Sequence, residues 1–258
     1  MDEEIFEKIT MKKEFSQIPR RDIERAWDLF EGKNLVDEER IKKVRDLLRR
    51  IYSGFGGKKL LLWKGWSYEE VLKKHLSTKE RLDYYIEIYG RLLKNFDKKK
   101  EINVIDLGAG VNGFSYPFFE KLGYKVCYNC VEAVGQFVEL TNKFFEEEKI
   151  KGKAFHDSLF NLGEIIKLAK KIKKPKIIFL FKVIDALESF ERNYTKKLLL
   201  ELKKCGAEKI VVSFATESWI RRKKFFAQRT WLIDFIRENF EFIDDFGVGG
   251  ERYLVFRS

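Results

Sequence analysis

The sequence predicts an α/β protein in which a helical N-terminal region precedes a mostly parallel β-sheet. Residues up to about 95 place their apolar side chains at helical spacing. From Ile102 onwards, short apolar runs alternate with helical segments, as they do in βαβ units. The last two apolar runs are joined by Gly247-Val-Gly-Gly250 without a helix, so the sheet must end in an antiparallel pair. We therefore predict two domains, residues 1–98 and 99–258.

The helices of the first domain are predicted from spacing and end signals. The apolar face of one helix has four members: Ile41, Val44, Leu48 and Ile51. A glycine-rich run at 53–57 ends this helix, and a short helix follows over 66–72. Ser77 and Glu80 have the spacing of a capping box, which predicts a helix from Ser77 to about Leu93.

The second domain is predicted to contain seven strands. They are Asn103–Leu107, Lys125–Glu132, Gly152–His156, Lys176–Lys182, Lys209–Phe214, Phe240–Phe246 and Arg252–Arg257. The intervening helices are Phe114–Leu122, Gln136–Glu148, Leu162–Lys171, Tyr194–Lys204 and Gln228–Asn239. Five βα units closed by an antiparallel last strand are the plan of the Rossmann-like class I methyltransferases.

Composition excludes several classes of protein. The 258 residues are 45% hydrophobic and 36% charged, which argues against disorder. No apolar run approaches the roughly 20 residues of a membrane helix, and the acidic start is not a secretory signal, so we expect a cytoplasmic protein.

Cys127 and Cys130 fall on opposite faces of a strand, and His75 and His156 offer no second ligand pair. We expect these cysteines to fill the core, and we expect no metal.

The positive charge is concentrated in one part of the chain. The net charge is +11, and residues 41–100 carry 17 Lys and Arg against 7 Asp and Glu. Such an excess favours a surface that faces a polyanion. A lysine-rich surface of the thermophile type explains the charge equally well.

The first strand of the sheet ends in a glycine turn. The order Asp106-Leu-Gly108-Ala109-Gly110 lets a ligand lie against the backbone and favours S-adenosylmethionine (SAM). NAD binding and a turn without a ligand remain alternatives, because the motif is short.

Further candidates follow the next strands. Glu132 ends the second strand, where a carboxylate can accept hydrogen bonds from ribose hydroxyls. Asp157 follows the third strand, within reach of an adenine amino group, and Phe181 and Lys182 end the fourth, beside the expected methyl group. Taken singly, each acid is better explained as a solvated strand end, but together, at successive strand ends, they favour a ligand site.

Several motifs resemble one enzyme family. The run from His75 to Leu82 resembles the H-x-S-T-[KR]-E-R-L signature of the aminoglycoside-resistance 16S rRNA (guanine(1405)-N7) methyltransferases. Further segments match in the same order: Asp106–Asn112, Asp157–Leu159, Leu180–Ile184, Val212–Ser218 and Glu251–Leu254. The resemblance covers about residues 40–258. The chain departs from it at Gly113, Ala215 and Glu217, where the family has Pro, Pro and Arg. These departures and the Lys- and Ile-rich composition favour a housekeeping relative, archaeal or thermophilic, over a drug-resistance determinant.

The resemblance implies roles for residues of both domains. It implies a SAM site in the second domain, with the His75–Leu82 segment packed over it and Arg81 reaching the SAM carboxylate. It adds to the cofactor-binding candidates the side chains of His75, Ser77, Ala109 and Ser158. The alternative is that Ser77 and Glu80 only cap a helix and that Arg81 lies on the surface.

The resemblance also implies that the N-terminal region docks on the small ribosomal subunit. The candidate RNA-binding residues are Lys42, Lys43, Arg45, Arg49, Arg50, Arg221, Arg222, Lys223 and Lys224. The last four lie in a basic segment, residues 219–229, with interleaved aromatics that can stack on a base. A solvated basic helix is the alternative for this segment.

The predicted reaction needs little chemistry from the protein. N7 of guanine carries a lone pair, so we assign no general base and expect Phe181 and Lys182 to position the reactants. We expect a monomer that acts on 16S rRNA. A small-molecule methyltransferase and a non-catalytic SAM-binding assembly factor remain alternatives.

Overall fold

The computed structural model describes residues 1–53, 65, 67–218, 223–224 and 229–258. Its helices are α1 (Glu3–Thr10), α2 (Arg20–Asp28), α3 (Asp37–Leu48), α4 (Tyr68–Lys74), α5 (Leu76–Arg81), α6 (Tyr85–Leu92), α7 (Pro117–Lys121), α8 (Gly135–Glu147), α9 (Leu162–Lys171), α10 (Ile184–Phe190), α11 (Tyr194–Lys203) and α12 (Thr230–Asn239). Its strands are β1 (Glu101–Leu107), β2 (Lys125–Glu132), β3 (Gly152–His156), β4 (Lys176–Phe181), β5 (Lys209–Ala215), β6 (Glu217–Ser218), β7 (Lys223–Lys224), β8 (Glu241–Val248) and β9 (Glu251–Arg257).

Among the described residues, the main sheet has seven strands in the order β3-β2-β1-β4-β5-β9-β8. Strands β1 to β5 pair in parallel, whereas β9 pairs antiparallel with both β5 and β8. The predicted mostly parallel sheet with an antiparallel last strand is confirmed. The strand order reverses between β1 and β4, which places the ligand-binding crevice of such a fold at their C-terminal ends.

Two hydrophobic clusters, one on each face of the sheet, join both predicted domains. On one face Ile9, Ile23 and Val44 share a cluster with Ile105 and Leu198. On the other face the cluster includes Tyr85 and Tyr89 together with Val104, Phe179 and Tyr253. Strand β4, whose residues are all buried, lies between these layers. The helices of residues 1–98 are therefore packed directly on the sheet that carries the site.

The structure corrects one prediction of local geometry in the His75–Leu82 segment. Ser77 does not cap a helix, because α5 begins at Leu76 after an extended His75, and the Ser77 hydroxyl contacts His75 Nδ1 at 3.1 Å. The reciprocal capping box belongs to Ser67 and Glu70 at the start of α4. The predicted helix to Leu93 is broken by a 3₁₀ turn at Leu82–Tyr84.

Most other predicted bounds lie within two residues of the observed ones. The predicted helix Phe114–Leu122 is an exception, since it divides into a 3₁₀ turn at Asn112–Ser115 and α7.

No helix within the described residues combines the length and apolar character needed to cross a membrane. Cys130 and Cys205 are buried and Cys127 is half-buried, and all three are free thiols.

Candidate active site

A cavity opens at the C-terminal ends of β1, β2 and β4, where the strand order reverses. The space between its walls is about 820 Å³, the solvent at its open mouth included. The second predicted domain contributes from its strand ends and turns Asp106, Gly108, Ala109, Gly110, Asn112, Glu132, Phe181 and Lys182. The first contributes Ile51, Tyr52, His75, Ser77 and Arg81. Most of the predicted cofactor-binding residues therefore meet at one place.

The turn after β1 presents bare backbone to this cavity. Gly108 and Gly110 have φ angles of +74° and +56°, which L side chains rarely adopt. A Cβ on Gly108 would lie 2.7 Å from Val183 Cγ2, and one on Gly110 would lie 3.0 Å from His75 Nε2. Glycine at both positions lets the chain turn here while neighbouring side chains pack against its backbone.

Glu132 ties the end of β2 to this turn. Its carboxylate accepts hydrogen bonds from the backbone N–H of Gly110, at 2.7 Å, and of Val134, at 2.8 Å. Burial raises the pKa of the Glu132 carboxyl, and the bonds from backbone N–H groups oppose this increase. A third backbone N–H, that of Ala133, also bonds this carboxylate, which leaves acceptor capacity for a further hydrogen bond from a ligand.

Asp106 brings an unsatisfied acceptor to the cavity wall. Its Oδ2 accepts hydrogen bonds from Asn112 Nδ2, at 2.8 Å, and from the Tyr128 hydroxyl, at 2.5 Å. Its Oδ1 is buried and meets no hydrogen-bond donor within the described residues. Burial raises the pKa of this carboxyl, against the two hydrogen bonds. Because a buried acceptor without a donor is costly, Oδ1 is a place where a ligand's donor would be stabilised.

Arg81 belongs to a buried network of charges beside the cavity. Its Nε donates to Glu251 Oε2 at 3.0 Å, and its Nη1 donates to Asn112 Oδ1 at 3.1 Å. Lys182 Nζ lies 3.3 Å from the same Glu251 oxygen and also pairs with Glu80. Burial alone would raise the pKa of Glu251, but Arg81 and Lys182 outweigh it and the pKa is lowered. The network therefore joins α5, the end of β4 and β9, and Arg81 is not a surface residue.

The side chain of His75 lines the cavity. It is buried, and its ring packs edge-on against Phe137 with 5.8 Å between ring centroids. Burial, followed by the positive charges of Arg81 and Lys182, lowers the pKa of His75 to about 3. At neutral pH the imidazole therefore carries no charge.

Asp157 and Ser158 are not among the residues that line the cavity. The Asp157 carboxylate accepts hydrogen bonds from the Ser158 backbone N–H, at 2.8 Å, and from Asn161 Nδ2, at 3.2 Å. Ser158 is buried and its hydroxyl donates to Asp22. The segment after β3 instead contributes the side chains of Leu159 and Phe160 to the lining. A contact between Asp157 and adenine stays a prediction.

Sequence reasoning missed several residues of the site. Asn112 and Glu251 stood inside matched motifs, yet only the structure shows them bonded to Arg81. Ile51 was recognised only as a core residue of its helix, and Tyr52 belongs to no motif. The packing of α3 and its π-helical end, Arg49–Ser53, brings both to the cavity.

The predicted RNA-binding residues of α3 divide into two groups. Lys42, Lys43 and Arg50 are exposed and form no ion pair within the part of the chain described, and we call these three the basic face. The other two are partly exposed, and their guanidinium groups are bonded within the chain. Arg45 is half-buried and donates to the Lys8 carbonyl, and Arg49 pairs with Glu14 and Asp46, each at 2.9 Å.

The second predicted RNA-binding segment is largely outside the described residues. Arg221 and Arg222 lie there, and so do the side chains of Lys223 and Lys224. The backbone of Lys223–Lys224 forms β7, which pairs antiparallel with β6. The predicted contact of this segment with RNA stays a prediction.

The chain is similar to several known proteins. The family model described as ribosomal RNA methyltransferase (FmrO) matches residues 32–239. A 16S rRNA (guanine(1405)-N(7))-methyltransferase of Proteus mirabilis is 26% identical over 224 residues, covering 76% of this chain and 73% of that protein. The solved structure of the 16S rRNA methyltransferase RmtF with S-adenosyl-L-homocysteine matches all of both chains, with a TM-score of 0.75 and 19% identity. An rRNA methylase from Escherichia coli matches 99% of this chain and 98% of its own, with a TM-score of 0.75 and 17% identity.

Proposed function

The chain belongs to the ribosomal RNA methyltransferase (FmrO) family, whose model spans most of its length, and we propose that it transfers a methyl group from SAM to N7 of a guanine in 16S rRNA. The named activity of the Proteus mirabilis relative supports the target atom and the RNA. The bound S-adenosyl-L-homocysteine of RmtF, which is the demethylated product of SAM, supports the methyl donor.

The observation that carries this proposal is the unsatisfied Asp106 Oδ1 beside the glycine turn and Glu132. SAM carries an ammonium group and two ribose hydroxyls, which are the donors that two buried carboxylates require. We assign the ribose to Glu132 and the ammonium to Asp106. The fit rests on the unsatisfied Asp106 Oδ1 and on the remaining acceptor capacity of Glu132, at the ends of β1 and β2, where this fold binds ligands.

The remaining parts of SAM are assigned to neighbouring side chains. Arg81 uses Nε and one Nη1 proton within the chain, which leaves guanidinium N–H groups for the methionine carboxylate. Leu159 and Phe160 would pack against the adenine, and Asp157 would bond its amino group after exchanging a hydrogen bond with Asn161. Ala109, His75 and Ser77 shape the remaining wall.

Catalysis by this site is positioning. SAM supplies an electrophilic methyl group, and guanine N7 attacks with a lone pair it already has, so no side chain has to take a proton. Phe181 and Lys182 stand at the end of β4 and bound the space for the base. The Lys182 ammonium is paired with Glu80 and Glu251, which suits an orienting group rather than a base. Holding the two reactants in line supplies most of the rate enhancement.

The basic face of α3 is proposed to contact rRNA phosphates. Exposed cations without an internal partner can neutralise phosphates, whereas Arg45 and Arg49 are already engaged by their own chain. We further propose that the protein acts in the cytoplasm, where small ribosomal subunits are found, and that it acts as a monomer.

The test is methyl transfer from labelled SAM to purified small subunits, followed by mapping of the modified base. Borohydride and aniline cleave RNA at N7-methylguanine, so one cleavage site in 16S rRNA is expected. Glu132→Gln should weaken SAM binding by about 1–3 kcal/mol, whereas Glu101→Gln, an exposed carboxylate at the opposite end of β1, should not. SAM binding without label in rRNA would point to an assembly factor and contradict the proposed reaction.

A further inference from the structure

One carboxylate joins three segments of the chain behind the cavity. Asp22 on α2 has no exposed surface. Its Oδ2 accepts a hydrogen bond from the Tyr52 hydroxyl at 2.6 Å, and its Oδ1 accepts one from the Ser158 hydroxyl. Tyr52 lies in the π-helical end of α3 and Ser158 lies after β3. Asp22 therefore ties two N-terminal helices to the segment between β3 and α9.

The residues that Asp22 holds stand next to the cavity. Tyr52 lines it, as does Ile51, and Tyr52 packs near Phe190 with 6.2 Å between ring centroids. On the other side, the Ser158 hydroxyl accepts a hydrogen bond from the Phe160 backbone N–H at 3.0 Å. Because Phe160 also lines the cavity, both hydrogen bonds to Asp22 support its apolar wall.

Other contacts between α2 and this segment are weaker. Arg21 donates to Asn161 Oδ1 at 3.0 Å, and the Arg25 guanidinium lies 4.6 Å from the centre of the Phe160 ring. Arg21 is exposed and Arg25 is partly exposed, so solvent screens their charges. The Asp22 carboxylate is fully buried and would lose both hydrogen bonds if α2 moved away, which makes it the strongest attachment on this side.

We propose that Asp22 is a positioning residue for the cofactor cavity: through Tyr52 and Ser158 it makes the N-terminal helices one wall of the SAM site and couples SAM binding to the ordering of those helices. The inference rests on the proposed function. The basic face lies on the same segment, since Arg50 is two residues before Tyr52. A shift of the end of α3 therefore alters both the rRNA-facing surface and the cavity wall. Such coupling is reciprocal, so rRNA docking would in turn change the affinity for SAM.

The experiment measures S-adenosyl-L-homocysteine binding by calorimetry and amide hydrogen exchange with and without that ligand. In the wild type, the ligand is expected to increase protection of α1 to α3. Asp22→Asn is expected to weaken binding about tenfold and to abolish this ligand-dependent protection, while protection of β4 stays unchanged.

Tyr52→Phe removes a single oxygen and tests the same attachment if Asp22→Asn does not fold. It is expected to weaken binding by about threefold to tenfold. Its matched control is Tyr124→Phe, which also removes a buried hydroxyl, bonded to the Leu93 carbonyl at 3.1 Å, but does not line the cavity. A merely structural role would lower stability in both variants and leave the ligand-dependent protection of α1 to α3 intact.

The outcomes separate the two proposals. If the wild type binds no S-adenosyl-L-homocysteine, the proposed function fails and the coupling fails with it. If the wild type binds the ligand but Tyr52→Phe binds as tightly as Tyr124→Phe, with unchanged protection of α1 to α3, only the coupling is overturned. The coupling is supported if the Tyr52 and Asp22 variants lose affinity for the ligand and the ligand-dependent protection of α1 to α3, while Tyr124→Phe keeps both.

Discussion

Replacing Arg81 by methionine is expected to lower the free energy of unfolding by about 3 kcal/mol. Methionine keeps most of the side-chain length and removes only the charged group. Arg81 and Glu251 are 3% and 1% exposed, so the substitution leaves a carboxylate buried without its main partner. Breaking such a pair typically costs about 3–5 kcal/mol. Glu251 keeps Lys182 at 3.3 Å and the Ser213 hydroxyl, which places the expected loss at the lower end.

Urea denaturation measures this loss directly. With a slope of about 3 kcal/mol per M, the midpoint should fall by about 1 M. Adding Glu251→Gln to Arg81→Met removes the uncompensated charge and should recover part of the lost stability. This recovery distinguishes an orphaned charge from a simple loss of packing, which the second substitution would not repair.

Arg257→Met provides the matched control. Arg257 also pairs with a glutamate, Glu241, at 2.6 Å, but both side chains are more than half exposed. Exposed pairs contribute at most about 1 kcal/mol, so little change is expected. If Arg81→Met costs no more than Arg257→Met, the Arg81 network is solvated and the reasoning from its burial is wrong.

Three further predictions concern the glycine turn, His75 and the basic face. Gly108→Ala should lower the free energy of unfolding by about 1–3 kcal/mol and weaken SAM binding, because Gly108 has a positive φ and an added Cβ would contact Val183. The control is Gly163→Ala, where a Cβ meets nothing within 4 Å, and thermal melts should show no loss of stability for it. The pKa of His75 is about 3 in the folded protein, below its value of about 6.5 in the unfolded chain, so the unfolded chain binds the proton first as the pH falls. The free energy of unfolding should therefore decrease between about pH 6.5 and pH 3, by up to about 1.4 kcal/mol per pH unit. His75→Gln should flatten the dependence of unfolding free energy on pH over this window, and equal slopes in both proteins would contradict the assignment. Replacing all three residues of the basic face by Glu should leave SAM affinity unchanged and reduce the salt dependence of subunit binding. The control is the same replacement at Lys167, Lys170 and Lys171 of α9, which should leave that salt dependence as it is. Unchanged subunit binding in the basic-face variant would show that this face does not contact rRNA.

The alternation of strands and helices was predictable from the sequence because its causes are local. Apolar runs of strand length, such as Lys125–Glu132, coincide with observed strands, and the glycines after β1 mark the turn at which the chain reverses. Residues at the ends of parallel strands meet at one edge of a sheet. Asp106, Glu132 and Phe181 could therefore be assigned to one cavity before their contacts were known.

Local signals failed where two arrangements competed for the same side chain. Ser67 and Ser77 both precede a glutamate by three residues, but only Ser67 forms the capping box. Ser77 turns towards His75, which the cavity wall holds in place. Arg45 and Arg49 likewise read as free surface charges, although α1 and the segment after it supply acceptors for both.

Local patterns in the chain were enough to predict the sheet, the glycine turn and the strand ends that form the site. Which charges meet around the site depends on contacts between distant segments. Arg81 and Glu251 are 170 positions apart, and Asp22 and Ser158 are 136 apart. Helical and strand periods extend over a few residues, so no local pattern encodes such pairs. They form because packing brings distant segments together and excludes water, and a buried carboxylate then requires a donor from whichever segment lies nearest.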